Sequence, residues 1–183
     1  EKNEPEVIIA DTDQNEYDIL GSDIINNYYL MDNISSQKIY VRKDRAEFAS
    51  IEEKLKYVVD LQNYLSLLSE MDDCTVFFAV KDTQGYELTE QILRGMEELG
   101  FEDLSELLEK EYHTFIGIAQ NGYAIYQKIG APDEAIRYDG IAAGCSVRLE
   151  SKTYQYGNLA SIQIDDEEYA VNKRGLNIVV YDN

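Results

Sequence analysis

Tryptophan is absent from these 183 residues, histidine occurs once and cysteine twice. A lone histidine, His113, excludes a multi-histidine metal centre and gives little support to a Ser-His-Asp triad. It heads an apparent strand and reads as structural. Cys74 and Cys145 are too few for a disulfide scaffold or a metal cluster. Each opens an expected strand and reads as a small buried hydrophobe, with a single disulfide as the alternative if the two strands are neighbours. No apolar run approaches the ~20 residues of a membrane span, so direct insertion by this segment is not expected. Basic residues are scarce: 16 Lys and Arg face 36 Asp and Glu, a net charge of −20. Such a polyanion repels phosphate backbones and anionic lipid surfaces, which argues against nucleic acid as a partner. Metal cations and neutral ligands stay open, and the plainest use of the excess acid is a solvated surface. The 15 tyrosines suit sugar faces, although Tyr also fills strands. No secretory signal is visible and the first residue is not Met. The expectation is that a signal or anchor has been removed or that the segment lies inside a larger protein.

What is present reads as one domain with a possible appendage. Residues 1–49 form an N-terminal strand/helix extension, either a βαβ-like subdomain or part of the main sheet. Val7–Ala10 and Lys38–Arg42 read as short strands, and residues 22–31 as a helix capped by Ser22 or Asp23. Residues 50–183 form an α/β module. Ser50 and Glu53 make a capping box, and Ile51, Leu55, Val58, Leu61, Leu65 and Leu68 follow at helical spacing to about Glu70. Thr75–Val80 is a buried strand. Thr89 caps a helix carrying Ile92, Met96 and Leu99, with Gly100 as its stop. A short helix is expected over 102–110. Asn121-Gly122 joins the strands 113–119 and 123–129 in a hairpin. Cys145–Leu149 is a strand, and Ser161–Ile164 and Tyr169–Val171 flank an acidic turn. Leu176–Tyr181 is a terminal strand, expected to be interior and hydrogen-bonded on both sides next to Phe77-Phe78. The fold class is therefore α/β (α+β), with a mixed, largely antiparallel sheet and two to three helices packed on it.

At TVFFAVKDTQGYELTEQILRGMEELGF (75–101) and NKRGLNIVVYD (172–182) the chain resembles the interleukin-like epithelial–mesenchymal-transition inducer domain. Phe115-Ile116-Gly117 matches a third strand of that pattern. Secreted cytokine-like proteins carry this domain, as does the stem of an O-mannose N-acetylglucosaminyltransferase, where it binds sugar without catalysis. Similar domains occur in extracytoplasmic parts of bacterial membrane proteins. The matching segments cover roughly half of the chain. In the family the RGLN strand comes first, whereas here it comes last, as in a circular permutation or a cut through tandem modules. The resemblance implies a ligand-binding Asp at Asp82 and Arg at Arg174, a charge pair that grips sugar hydroxyls. A further basic residue of the sugar-binding stem falls on Ile118 here. A loop-capping role for Asp82 and a surface ion pair for Arg174 are the structural alternatives.

Asp11-Thr12-Asp13 after an apolar strand invites an enzyme reading, a metal-dependent phosphatase or glycosyltransferase. Asn15 stands where the phosphatase pattern wants Thr or Val, and only ten residues precede Asp11. Asp11, Asp13 and Asn15 also resemble part of a calcium loop, but Glu16 and Ser22 stand where Gly and Glu are required. They are weak metal candidates. No Gly-rich phosphate loop and no nucleophile elbow is present. The expectation is a non-catalytic extracytoplasmic binding or interaction module of a larger, membrane-anchored bacterial cell-surface protein, needing no cofactor. Its partner would be a glycan or another surface protein, with a homodimer through the terminal strand as a further prospect. The alternatives are the Asp11/Asp13 enzyme and a structural spacer or oligomerisation domain.

Overall fold

The computed structural model describes residues 7–11, 28–34, 37–43, 48, 50–56, 58, 61–82, 88–108 and 113–182. The chain divides into two compact units, Glu1–Tyr64 and Leu65–Asn183.

In the first unit, β1 (Val7–Asp11), β2 (Tyr28–Ile34) and β3 (Gln37–Arg42) form a sheet in the order β1-β3-β2. All pairings are antiparallel, with Ile9 opposite Ile39 and Tyr29 opposite Val41. This corrects the last part, Tyr28–Met31, of the helix expected over 22–31. Tyr28–Met31 are extended, and residues 22–27 lie outside the described residues. Ile24, Ile25, Tyr28 and Tyr29 fit helical spacing, but aromatic residues favour strands, and β3 follows after two residues as a ready hairpin partner. Ser50 caps α1 (Ile51–Leu55), its Oγ accepting from the Glu53 amide at 3.2 Å. The single helix expected from Ser50 to Glu70 is two, because α2 (Leu61–Ser69) starts afresh and Val58 lies outside both. Val58 is the local reason, since a β-branched residue loses side-chain freedom in a helix.

The second unit is built on β4 (Cys74–Lys81), buried from Cys74 through Val80. It is followed by α3 (Glu90–Glu98), a 3-10 turn at Leu104–Leu108, β5 (Thr114–Gln120), β6 (Tyr123–Gly130), β7 (Ile136–Ala142) and β8 (Cys145–Lys152). A second 3-10 turn at Tyr154–Tyr156 leads to β9 (Leu159–Ile164), β10 (Glu167–Glu168) and β11 (Gly175–Asp182). The result is an eight-stranded, largely antiparallel sheet with short helices, the mixed α/β class expected.

The sheet has two layers. One runs β11-β4-β5-β6 and the other β7-β8-β9-β10. They join where β4 meets β8 in one parallel bridge, Lys81 with Lys152. By then β5 has left β4, their ladder ending at Ala79 and Ile116. Ser151 fills the opening: its Oγ accepts from the Phe115 amide at 3.2 Å and donates to the Val80 carbonyl at 2.5 Å. Between the layers pack Phe77, Ile116, Ile118, Val147, Leu149 and Ile162. On the opposite face Phe78, Phe101 and Phe115 meet edge-on, with centroids 5.2 Å apart for Phe78–Phe101 and 5.7 Å for Phe101–Phe115. Such pairs add about 0.5–1.5 kcal/mol each beyond area burial. Gly117 permits this approach, because a Cβ there would stand 2.8 Å from the Phe101 ring.

Thr89 Oγ1 caps α3 by accepting from the Ile92 amide at 3.3 Å. The Asn121-Gly122 hairpin has the positive φ values, 52° and 74°, of a type I′ turn. The same geometry recurs at Ala143-Gly144, which joins β7 to β8. It recurs again at Asp165-Asp166, where φ is 49° and 67°. The last turn corrects the strand expected at Tyr169–Val171: only half of the acidic run turns, and Glu167–Glu168 already pair with β9. The terminal strand runs antiparallel to β4, with Ile178 opposite Phe78 and Val179 opposite Phe77. Among the described residues it pairs with β4 alone, so it borders the sheet and is not the doubly bonded interior strand expected. Cys74 and Cys145 are not joined in a disulfide: Cys74 is buried with its Sγ donating to the Leu68 carbonyl, and Cys145 Sγ bonds the Tyr181 hydroxyl at 3.3 Å.

Candidate functional site

Where β4 ends, the backbone turns at Asp82, whose φ is +65°. Its amide donates to the Lys152 carbonyl at 3.2 Å, fixing the turn against the end of β8. On the other side β11 starts at Gly175, opposite Lys81. The antiparallel register, continued one step, sets Arg174 beside Asp82, and Arg174 Nε lies 3.1 Å from Asp82 Oδ2. The Arg174 side chain is 68% exposed and the Asp82 side chain 13%. A single-edge contact with so exposed a partner contributes at most about 1 kcal/mol to stability.

The segment leading into Arg174 is tied down by amide side chains. Asn177 is buried; its Oδ1 accepts from the Lys173 amide at 3.0 Å, and its Nδ2 donates to the carbonyls of Lys173 and Gly175 at 2.7 and 3.1 Å. Asn172 Oδ1 accepts from the Ala160 amide at 3.1 Å, and its carbonyl receives Lys81 Nζ at 2.9 Å. The Arg174 backbone is thereby held to both β4 and β9.

The same register extends to the other layer. One step beyond Lys81 and Lys152, Asp82 neighbours Thr153. One step beyond Lys152 and Leu159, Thr153 neighbours Asn158, whose amide donates to the Thr153 carbonyl at 2.9 Å. Continuing the registers by one residue therefore lines up Arg174, Asp82, Thr153 and Asn158 just past the ends of β11, β4, β8 and β9. Three of the four carry a buried oxygen that has no hydrogen-bond partner: Asp82 Oδ1, Thr153 Oγ1 and Asn158 Oδ1. Thr153 is only 2% exposed. Buried polar atoms are nearly always satisfied, so three orphans in one row mark a place where something else supplies the partner. Tyr154 and Tyr156, on the turn between Thr153 and Asn158, are exposed aromatics.

A second charged patch lies on β7 and β8, and its charges satisfy one another. Arg137 and Arg148 both bond Asp139, pulling its carboxyl down to about 2. Glu150 takes Arg137 at 3.3 Å and Lys152 at 2.6 Å. This is a solvated ion-pair ladder.

Of the other candidate residues, Ile118 and His113 belong to the second unit and Asp11 to the first. Asp11 ends β1, and Asp13 and Asn15 lie outside the described residues. No group of three or more His, Cys, Asp or Glu that could hold a metal occurs among the described residues. Ile118 is fully buried between the layers, so no side chain at that position reaches the row. His113 is buried, with Nδ1 3.2 Å from the Gly130 carbonyl. No helix among the described residues is long and apolar enough to cross a membrane. Sequence reasoning missed Thr153, Asn158, Asn172 and Asn177. The one available signal was the density of Asn and Thr around the ends of apolar strands. Comparison with protein-family models, curated proteins and solved structures gave no match.

Proposed function

We propose that this chain is a non-catalytic binding module, similar to the interleukin-like inducer domain, that serves outside the cytoplasm in a larger membrane-anchored bacterial protein. Carbohydrate is its ligand class, and Asp82 and Arg174 are the gripping pair. One observation carries the reading: the ion pair is half used. Arg174 engages Asp82 through Nε, leaving its terminal nitrogens uncommitted, and Asp82 keeps Oδ1 without a partner. A donor edge beside an unpartnered acceptor suits two adjacent sugar hydroxyls, since each hydroxyl both donates and accepts. Exposed Tyr154 and Tyr156 nearby add apolar faces of the kind that pack against sugar rings. The late position of the RGLN strand suits a permuted relative, because β11 pairs with β4 of its own chain.

The test is a glycan array followed by calorimetric titration of the best hit. Asp82→Asn and Arg174→Ala should each weaken binding at least tenfold. An array without signal, or phosphatase or glycosyltransferase turnover that disappears in Asp11→Ala, would reject the reading.

A further inference from the structure

We infer that Thr153 and Asn158 form a second half of this site, and that the row as a whole takes an uncharged, polyhydroxylated ligand. The inference rests on the binding role proposed for Asp82 and Arg174, and it adds two residues and a ligand charge. Thr153 and Asn158 stand in register with Asp82 on the adjoining strand ends. Each holds an oxygen without a partner, and Thr153 is almost wholly buried. The turn itself does not use the hydroxyl, for Thr153 precedes the 3-10 segment without capping it.

The orphan atoms define the ligand's chemistry. Asp82 Oδ1 and Asn158 Oδ1 only accept, and Thr153 Oγ1 accepts as well as donates. The ligand must therefore present several donors along a line. A metal cation would satisfy such oxygens, but the Arg174 guanidinium already sits against Asp82 and opposes it. An anion would suit Arg174 but would meet the Asp82 carboxylate. A neutral polyol meets all four residues: its hydroxyls donate to the three oxygens and accept from the guanidinium.

The experiment uses the full chain, isotopically labelled and followed by amide NMR. The probes are neutral mono- and disaccharides, glucuronate as the anion and calcium chloride as the cation. Asn158 has φ +51°, which glycine tolerates, so Asn158→Gly keeps the turn. Thr153→Val keeps the shape and removes the hydroxyl. The expected result is that a neutral saccharide shifts the amides of residues 82, 153, 158 and 174. Both variants should then bind it at least fivefold more weakly while their spectra stay folded. Saccharide binding lost in Asp82→Asn and Arg174→Ala but unchanged in Thr153→Val and Asn158→Gly would overturn the extended row and leave the primary pair standing. Shifts at these amides with calcium alone, or with glucuronate alone, would overturn the ligand charge. No shift with any probe would overturn both readings.

Discussion

Thr153 and Ser151 sit two residues apart on the same face of one strand end, and their hydroxyls should affect stability in opposite directions. Ser151 Oγ serves two buried backbone groups, the Phe115 amide and the Val80 carbonyl. Ser151→Ala strips both of a partner, and one unsatisfied buried group costs roughly 1–3 kcal/mol. The expected loss is about 2–4 kcal/mol, softened to the extent that water enters. Thr153 Oγ1 is buried and bonds nothing. Thr153→Val removes a desolvated hydroxyl and replaces it with a methyl group of similar volume. It should stabilise the ligand-free protein by roughly 1 kcal/mol, recovering part of the desolvation penalty. For a chain of this length that corresponds to a rise of about 2–4 °C in melting temperature. Urea unfolding followed by circular dichroism reads both variants, with an unchanged m-value required for the comparison. A destabilised Thr153→Val, falling as far as Ser151→Ala, would show that the hydroxyl has a partner and would remove the main reason for seeing a site in this row. A more stable Thr153→Val that binds sugar poorly would be a residue kept at the expense of stability, as functional sites often are.

Four further outcomes are expected. Asn177→Ala should cost about 2 kcal/mol in urea unfolding, because it removes two part-buried bonds to the Lys173 backbone and leaves the buried Gly175 carbonyl without this partner; hydrogen exchange should quicken at residues 173–175, and unaltered exchange there would deny Asn177 its role in setting Arg174. Gly117→Ala should destabilise by about 1–3 kcal/mol, since its methyl group would press on the Phe101 and Phe115 rings; a calorimetric melting point equal to that of the wild type would contradict the packing. Ala143→Asn should raise the melting temperature slightly, because Ala143 holds φ +52° in a type I′ turn where Asn is the favoured residue. Burial raises the Glu168 carboxyl, but bonds from Ser161 Oγ and the Ile162 and Ala170 amides outweigh it and hold the group below the usual 4.5. A depressed carboxylate stabilises the fold above its unfolded value and loses that contribution as pH falls through its folded value. Stability should therefore drop as pH falls below about 4.5, and Glu168→Gln should flatten that part of the curve.

The central architecture could be read from the sequence because its signals are local. The apolar run within Thr75–Val80 announces a core strand, Thr89 and Gly100 bracket a helix, and Asn121-Gly122 writes its own hairpin. β7 escaped because Ala143-Gly144 adopts the same turn without the Asn that advertises it. The N-terminal error at Tyr28–Met31 has the opposite cause: isoleucine and tyrosine spacing there fits either period, and the neighbouring strand settles it. The nearness of Arg174 to Asp82 follows once β11 and β4 are known to be antiparallel neighbours. Thr153 and Asn158 join them only through the Lys81–Lys152 bridge, a contact between residues 71 positions apart. No local pattern encodes that contact, because it depends on β5 leaving β4 early enough for β8 to enter.

That exchange of neighbours along β4 has a mechanical consequence. The two halves of the sheet share a backbone seam one residue wide, with the Ser151 hydroxyl as its rivet. Any molecule lodged across residues 174, 82, 153 and 158 would straddle the seam and clamp the halves together. Occupancy would then be sensed well away from the point of contact, as slower opening of the β7–β9 flap.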